Sequence, residues 1–201
     1  IIAKSLLARR KDYGNMPLDI IIAENMRNAD FFIREELRKN LPEDYPLDQL
    51  VGLVETSIGK MVPIMTQEDI KEDPLQVFAE PYNSLIVAKK SFLNPIPEVP
   101  FLAPKENIKA WVDRKLFIHN LGHATAAYLG YQTHPDAVYI SEVLDNEKLL
   151  RDVRQTMLQA ADILQALYPD EFTHQQLEEH IDDLLHRFRN KSLGDTLFRV
   201  G

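Results

Sequence analysis

In Lys115-Leu116-Phe117-Ile118-His119-Asn120-Leu121-Gly122-His123-Ala124, an amine, an amide and two imidazoles interrupt an apolar run. On a helical wheel of about 100° per residue, Asn120 falls about 140° round from Lys115, His123 about 80° and His119 about 40°. The opposite arc carries Trp111, Phe117, Ile118, Leu121, Tyr128 and Leu129. A helix that is apolar over most of its surface thus holds its polar groups on one side. Burying such groups without partners costs roughly 2–7 kcal/mol each. They must bond to one another in a core, reach solvent, or meet a polar ligand.

This helix is expected to begin near Glu106 and run to about Leu129, with Gly130 suited to its C-terminal end. Just before it, Pro95, Pro97, Pro100 and Pro104 fall within ten residues. At that density no regular element is expected, because proline lacks the backbone N–H and clashes with the preceding turn. Residues 95–105 therefore read as a linker between domains 1–94 and 106–201. In the first domain, residues 1–12 read as a helix tail ended by Gly14 and Pro17. The apolar run Leu18 to Ala23 reads as a strand buried on both faces, as in a parallel sheet. Arg27 to Lys39 reads as a helix, Val51 to Ile58 and Leu85 to Ala88 as further strands, and acidic residues 66–76 as a solvated loop. Beyond Pro135 every segment reads helical. Asp136 to Leu144 is short. Asn146 to Tyr168 spaces Leu149, Val153, Met157, Ala161 and Leu164 by threes and fours. Thr173 caps the next helix, Gln176 completes a capping box, and Ile181, Leu184, Leu185 and Phe188 form a core stripe. The expected class is α/β followed by all-α.

Composition narrows the function. The 201 residues are 45% hydrophobic, which is globular rather than disordered. Acidic residues outnumber basic ones 31 to 23, for a net charge of −8, which disfavours broad nucleic-acid binding. There is no cysteine, so disulfides, thiolate chemistry and cysteine zinc sites are excluded. No apolar run approaches the roughly 20 residues of a membrane span, and no signal peptide is visible at the start. A cytoplasmic protein is expected. The seven glycines never fall as G-x-G, so no dinucleotide fingerprint is present.

The arrangement K-x4-N-x2-H, here Lys115, Asn120 and His123, continues into Ala124-Thr125-Ala126-Ala127-Tyr128-Leu129-Gly130. It resembles the signature of the mannitol dehydrogenase family, the polyol-specific long-chain dehydrogenases. Ile20-Ile21-Ile22-Ala23-Glu24-Asn25-Met26 is similar to the family's I-I-A-x-E-N-M strand end. The wording from Asn120 to Tyr131 looks most like the branch that interconverts mannitol 1-phosphate and fructose 6-phosphate. Mannitol 2-dehydrogenases and hexuronate (fructuronate or tagaturonate) reductases are the alternatives within the family. The resemblance implies that residues 1–94 are the C-terminal portion of a Rossmann-type nucleotide-binding domain, and that 106–201 are a helical catalytic domain. It further implies a fragment that lacks the glycine motif and is inactive alone. The cofactor implied is NAD, with NADP open. The partner implied is a sugar alcohol or sugar phosphate, with no nucleic acid and no membrane, in a monomer or weak oligomer. The pattern departs from the family at Gly59-Lys60-Met61-Val62-Pro63, where D-R-[IV]-[VT]-P is common and the Asp is thought to touch substrate.

Oxidising a secondary alcohol sends a hydride to the nicotinamide and the hydroxyl proton to a base, and the developing oxyanion needs preorganised donors. Desolvation lowers a lysine pKa towards neutrality, which suits a base. Amide and imidazole N–H groups suit the donor role. By the resemblance, Lys115 is the base, Asn120 and Asn25 polarise the oxygen, and His123 positions the substrate without any metal. Asn25 reads equally as a helix cap. Lys60, Arg187 and Arg199 are candidates for a substrate phosphate, each competing with an ordinary surface charge. Two other readings remain open. His119 and His123, four apart and joined by His134, have the spacing of metal ligands. A non-catalytic helical interaction module would keep the fold without the activity.

Overall fold

The structure, a computed structural model, describes residues 1–201. Its four strands are β1 (Leu18–Ile22), β2 (Val51–Ile58), β3 (Leu85–Ala88) and β4 (Leu102–Lys105), in the spatial order β1-β2-β3-β4. β2 is apolar or small at most positions and is buried at all but Ile58, as befits a strand with neighbours on both sides. β1 runs parallel to it, with Leu18 opposite Val51 and Ile22 opposite Glu55. β3 is antiparallel to β2 and parallel to β4, so the sheet is mixed. Gly52 allows a close approach inside β2. A Cβ there would stand 2.1 Å from Asp19 Oδ1 and 2.6 Å from the Ser91 carbonyl oxygen. Asp19 is fixed because its carboxylate accepts N–H groups from Leu93 at 2.8 Å and from Asn94 at 3.1 Å.

Two expectations are corrected in this sheet. β1 is not buried on both faces, since Ile21 is 40% exposed, while Ile22 is buried and Leu18 and Ile20 pack, partly buried, against the core. The apolar run marks a strand, but β1 stands at the end of the strand order and has one neighbour. The proline-dense stretch 95–105 does contain a regular element, β4. Pro104 lies opposite Val87, and β4 pairs with β3 alone. A strand with one partner tolerates proline where the missing N–H would face away from the ladder.

The chain divides into two compact units, Ile1–Ile58 with Ser84–Val112, and Gly59–Asn83 with Asp113–Gly201. Residues 59–83, which precede the expected linker, pack with the helices. The strand unit carries α1 (Ile2–Tyr13), α2 (Ala29–Asn40) and the one-turn α3 (Leu47–Leu50), and its core includes Leu6, Leu37, Leu47, Leu50 and Leu53. Further along come α4 (Ile108–Arg114), a π-helical turn at Lys115–Asn120 and α5 (Leu121–Thr133), then α6 (Ile140–Leu144), α7 (Glu147–Leu167), α8 (His174–Phe188) and α9 (Leu197–Val200). The core of the helical unit includes Ile118, Val143, Met157, Leu164, Leu184 and Phe188, none more than 2% exposed. Each such side chain contributes roughly 1.5–3 kcal/mol on burial. The capping box at Thr173 and Gln176 forms as the sequence predicts, with reciprocal bonds of 3.0 and 3.2 Å. Gly130 does not end its helix, which runs on to Thr133. A Cβ on Gly130 would meet Val143 Cγ2 at 2.5 Å and Leu197 Cδ2 at 2.7 Å, so this glycine serves packing. No helix is long and apolar enough to cross a membrane.

Candidate active site

The helix that carries the polar stretch does not keep α geometry through it. α4 passes into the π turn at Lys115–Asn120, and α5 resumes after it. The N–H of Leu121 donates to the carbonyl of Leu116, five residues back. Bonds from i to i+5 stack residues five apart, whereas an α-helix makes neighbours of residues three and four apart. Lys115 and Asn120, which an α wheel separates by about 140°, are therefore brought closer together round the helix. His123 lies three residues further, in regular α-helix. All three are half-buried, and His119 beside them is 6% exposed. Burial holds the Lys115 ammonium below its ordinary value of 10.5.

The imidazoles are neutral at neutral pH. Burial first, then the charges of Arg199 and Arg187, push His123 down to about 4. Burial, followed by His123, Arg187, Lys115 and His180, pushes His119 down to about 2. His180 on α8 is pushed to about 3 by burial and then by Arg114 and Arg187. The His123 ring stacks on Phe188 with centroids 3.7 Å apart, and its Nε2 is buried with no hydrogen-bond partner in the chain.

One buried ion pair organises the ground around these rings. Arg187 donates from Nε to Glu80 at 2.8 Å and from Nη2 to Glu80 at 2.5 Å and to the Gly59 carbonyl at 2.6 Å. Its guanidinium lies 4.4 Å over the Tyr82 ring. Glu80 also accepts the Met61 N–H at 2.6 Å. Burial lowers the Arg187 pKa, but the bonds and charges of Glu80 and Asp183 outweigh it, and the net shift is upward. Arg187 is thus a fixed cation, and the segment 59–83 is tied to α8 through it. The expectation of a surface charge at Arg187 is corrected, since the residue is 8% exposed. Lys60 donates to the Tyr82 carbonyl at 2.8 Å and to the Asn83 side chain. Arg199 donates to Asp195 and, at 3.3 Å, to the Val62 carbonyl. The three cations considered for a phosphate are all engaged within the chain.

Residues 1–100 match the mannitol dehydrogenase Rossmann domain, and residues 107–201 match the mannitol dehydrogenase C-terminal domain. The chain belongs to the mannitol dehydrogenase family. Among solved structures it is similar to D-sorbitol dehydrogenase in substrate-free form, with 19% identity and a TM-score of 0.78 over 98% of this chain and 43% of that one. It is also similar to Pseudomonas fluorescens mannitol 2-dehydrogenase in ternary complex with NAD and D-mannitol, with 15% identity and a TM-score of 0.64 over 98% of this chain and 42% of that one. At these identities the likeness is one of fold. The chain spans less than half the length of either structure.

The strand unit of this mannitol dehydrogenase family member is Rossmann-like, and a helical domain follows it. Asn25 stands in the strand unit, exposed, just past the C-terminal end of β1, with its N–H donating to Glu24 Oε1 at 2.7 Å. It is not a helix cap. The N-cap of α2 is Asn28, left-handed at φ 56° and with no side-chain cap bond. Glu55 of β2 accepts the Ala29 N–H instead, at 3.2 Å. Burial raises the Glu55 pKa, against the pull of that N–H. No three His, Cys, Asp or Glu side chains lie together as a metal-holding group, and exposed His134 bonds to Thr133 Oγ1 at 2.9 Å. Gly59 has no conformational need to be glycine, since a Cβ there would make only ordinary contact with the Tyr82 ring at 3.7 Å. Sequence inspection named Arg187 and Phe188 without relating them to His123, and it missed His180 on α8. A signal was available: His180 and Arg187 fall in step with Leu177 and Leu184, on the apolar stripe where exposed polar residues do not belong.

Proposed function

We propose that the protein interconverts a sugar alcohol and its ketose by hydride exchange with a nicotinamide cofactor, NAD or NADP. The observation that supports this reading is the π turn at Lys115–Asn120, whose bonds from i to i+5 bring Lys115 and Asn120 closer round the helix while burial lowers the lysine pKa. When bound, the nicotinamide supplies the hydride acceptor and donor. Residues 1–201 contain no G-x-G turn of the kind that cradles a dinucleotide pyrophosphate. Lys115 as the neutral amine accepts the hydroxyl proton at Nζ. Asn120 directs its amide N–H groups at the oxygen as negative charge develops on it, and the same role for Asn25 rests only on the resemblance of Glu24-Asn25-Met26 to the family's strand end. Neutral His123 orients the neighbouring hydroxyl through Nε2.

The favoured pair is mannitol 1-phosphate and fructose 6-phosphate. Its support is the wording Asn120-Leu121-Gly122-His123-Ala124 through Ala127-Tyr128-Leu129-Gly130-Tyr131. The test is steady-state reduction of fructose 6-phosphate and of free fructose by the full-length gene product with NADH and NADPH. The phosphorylated sugar is expected to have the higher kcat/KM. Much faster turnover of free fructose would replace this substrate with that of a mannitol 2-dehydrogenase. Hydride transfer to neither sugar, nor to a hexuronate, would leave the non-catalytic helical module.

A further inference from the structure

His123 is held in a vice of rings. Its imidazole plane lies 26° from the Phe188 plane at a centroid distance of 3.7 Å, and it meets His119 edge-on at 5.1 Å and 72°. His119 leans on the same phenyl ring at 5.4 Å. Leaving a buried polar atom unsatisfied costs roughly 1–3 kcal/mol, and His123 Nε2 is such an atom. A loosely packed histidine would turn to find a partner. This one is prevented from turning by a ring that cannot retreat, because Phe188 is 2% exposed. Phe188 in turn sits close because residue 122 is glycine. A Cβ there would lie 2.7 Å from Met157 Sδ and 3.1 Å from Phe188 Cε2.

We infer that Phe188 is the positioning residue of His123: its ring, seated against the bare backbone of Gly122, fixes the imidazole plane and with it the direction of the unpartnered Nε2. This rests on the assignment of Lys115, Asn120 and His123 as the substrate site. Phe188 touches no reacting atom and acts through the imidazole. The charged and titratable groups that face His123 are Arg199, Arg187 on α8 and His119 on its own helix.

The experiment is a double-mutant cycle in the full-length enzyme with Phe188→Leu, His123→Ala and the pair, assayed in both directions. Phe188→Leu keeps an apolar side chain and removes the flat face. It should lower kcat/KM by roughly 10- to 100-fold, the scale of a small misplacement, and should cost almost nothing further in the His123→Ala background. The His123 ionisation, followed by NMR of its ring, should move upward from about 4 as the loosened ring gains water. Equal losses from Phe188→Leu with and without His123 would overturn the positioning role while leaving the site assignment intact. Silence of both His123→Ala and Lys115→Ala would instead remove the site assignment. Phe188→Met, which is flexible and ringless, carries the same test if the leucine variant does not fold. In the unaltered enzyme the carbon-bound ring protons of His123 should be shifted upfield by the Phe188 ring current, and unshifted signals would refute the stack.

Discussion

α7 and the helix that carries Lys115 belong to the same family domain and are built by opposite rules. α7 opens on Asn146, whose side chain accepts the N–H groups of Lys148 and Leu149 at 3.0 and 3.2 Å. Its stripe of Leu149, Val153, Met157, Ala161 and Leu164 is at most 3% exposed. Its outer face pairs Lys148 with Asp152 at 3.2 Å and Arg151 with Glu147 at 3.6 Å. The other helix breaks its ladder at a π turn, buries His119, and sets Gly122 and Gly130 where side chains would collide. Local pattern and packing agree throughout α7, and the agreement gives stability. In the second helix the π turn and Gly122 lie beside the polar groups, where the local rules give way, as they do in functional sites, while Gly130 serves packing.

The largest expected effect tests whether that helix is functional at all. Lys115→Ala in the full-length enzyme should lower kcat by roughly 10²–10⁴-fold in both directions, the range for a lost general base. Burial lowers the Lys115 pKa, and only the neutral amine accepts the alcohol proton. Polyol oxidation should therefore rise with pH through that lowered pKa, and carbonyl reduction, which needs the ammonium, should fall. Added small primary amines should restore part of the lost rate. The fold should survive, because the truncation removes a half-buried cation rather than stranding one, and Lys115→Met checks this with volume kept. An alanine variant with unchanged kcat would make the helix structural, like α7.

The contrast also explains what could be read from the sequence. β2 and β3 were legible to the residue because short apolar runs bounded by turn residues admit few alternatives. α7 was legible because its apolar period of threes and fours holds along its whole length. β4 was hidden because proline density argues against a strand, and only the sheet topology shows that Pro104 lies on a strand with one partner. The π turn has no sequence period of its own. Its trace was the awkward placing of Lys115 and Asn120 on an α wheel, five apart where three or four would align. The Glu80–Arg187 pair joins residues far apart in sequence, and nothing in either neighbourhood announces the other.

The buried imidazoles give the next effect. His119, His123 and His180 have folded pKa values of about 2, 4 and 3, lowered in each case first by burial. Unfolded, they titrate near about 6.5. The unfolded chain therefore binds more protons below that value, so stability is complete above about pH 6.5 and is lost as pH falls towards the folded values. By pH 5 each histidine should cost about 2 kcal/mol. Urea unfolding at pH 7 and pH 5 reads this loss directly, and His119→Leu should remove one proton from the dependence. α7 contains no histidine, so substitutions confined to its exposed face should leave the slope alone. A pH-independent midpoint would show that these rings are hydrated in solution.

Glycine packing gives a smaller effect. Gly→Ala in a regular helix gains up to about 1 kcal/mol from propensity. At Gly130 the new methyl would press on Val143, a β-branched side chain that is fully buried. Overpacking costs roughly 1–3 kcal/mol, so Gly130→Ala should be net destabilising. On exposed Gln159 of α7 the same residue should change stability by less than about 0.5 kcal/mol. A stabilised Gly130→Ala protein would mean that α6 and α9 yield easily and that this glycine is not held by contact.

The smallest effect on stability separates the two asparagines that begin turns of these helices. Asn146 caps α7 through its side chain, and Asn146→Ala should cost about 1 kcal/mol of stability, the usual loss for a cap. Its kcat should be unchanged, because the side chain serves only backbone N–H groups of its own helix. Asn120 closes the π turn with helical backbone angles, and the N-cap position it holds before α5 has no side-chain cap bond. Asn120→Ala should accordingly leave the urea midpoint within about 0.5 kcal/mol, the ordinary range for a site without a named structural role. It should nevertheless lower kcat, because an oxyanion donor is lost, by up to the roughly 10²–10³-fold seen for such groups. Urea midpoints and steady-state kinetics on both variants give four numbers, and the expected pattern is crossed. If both variants lose stability and keep kcat, Asn120 is a structural residue.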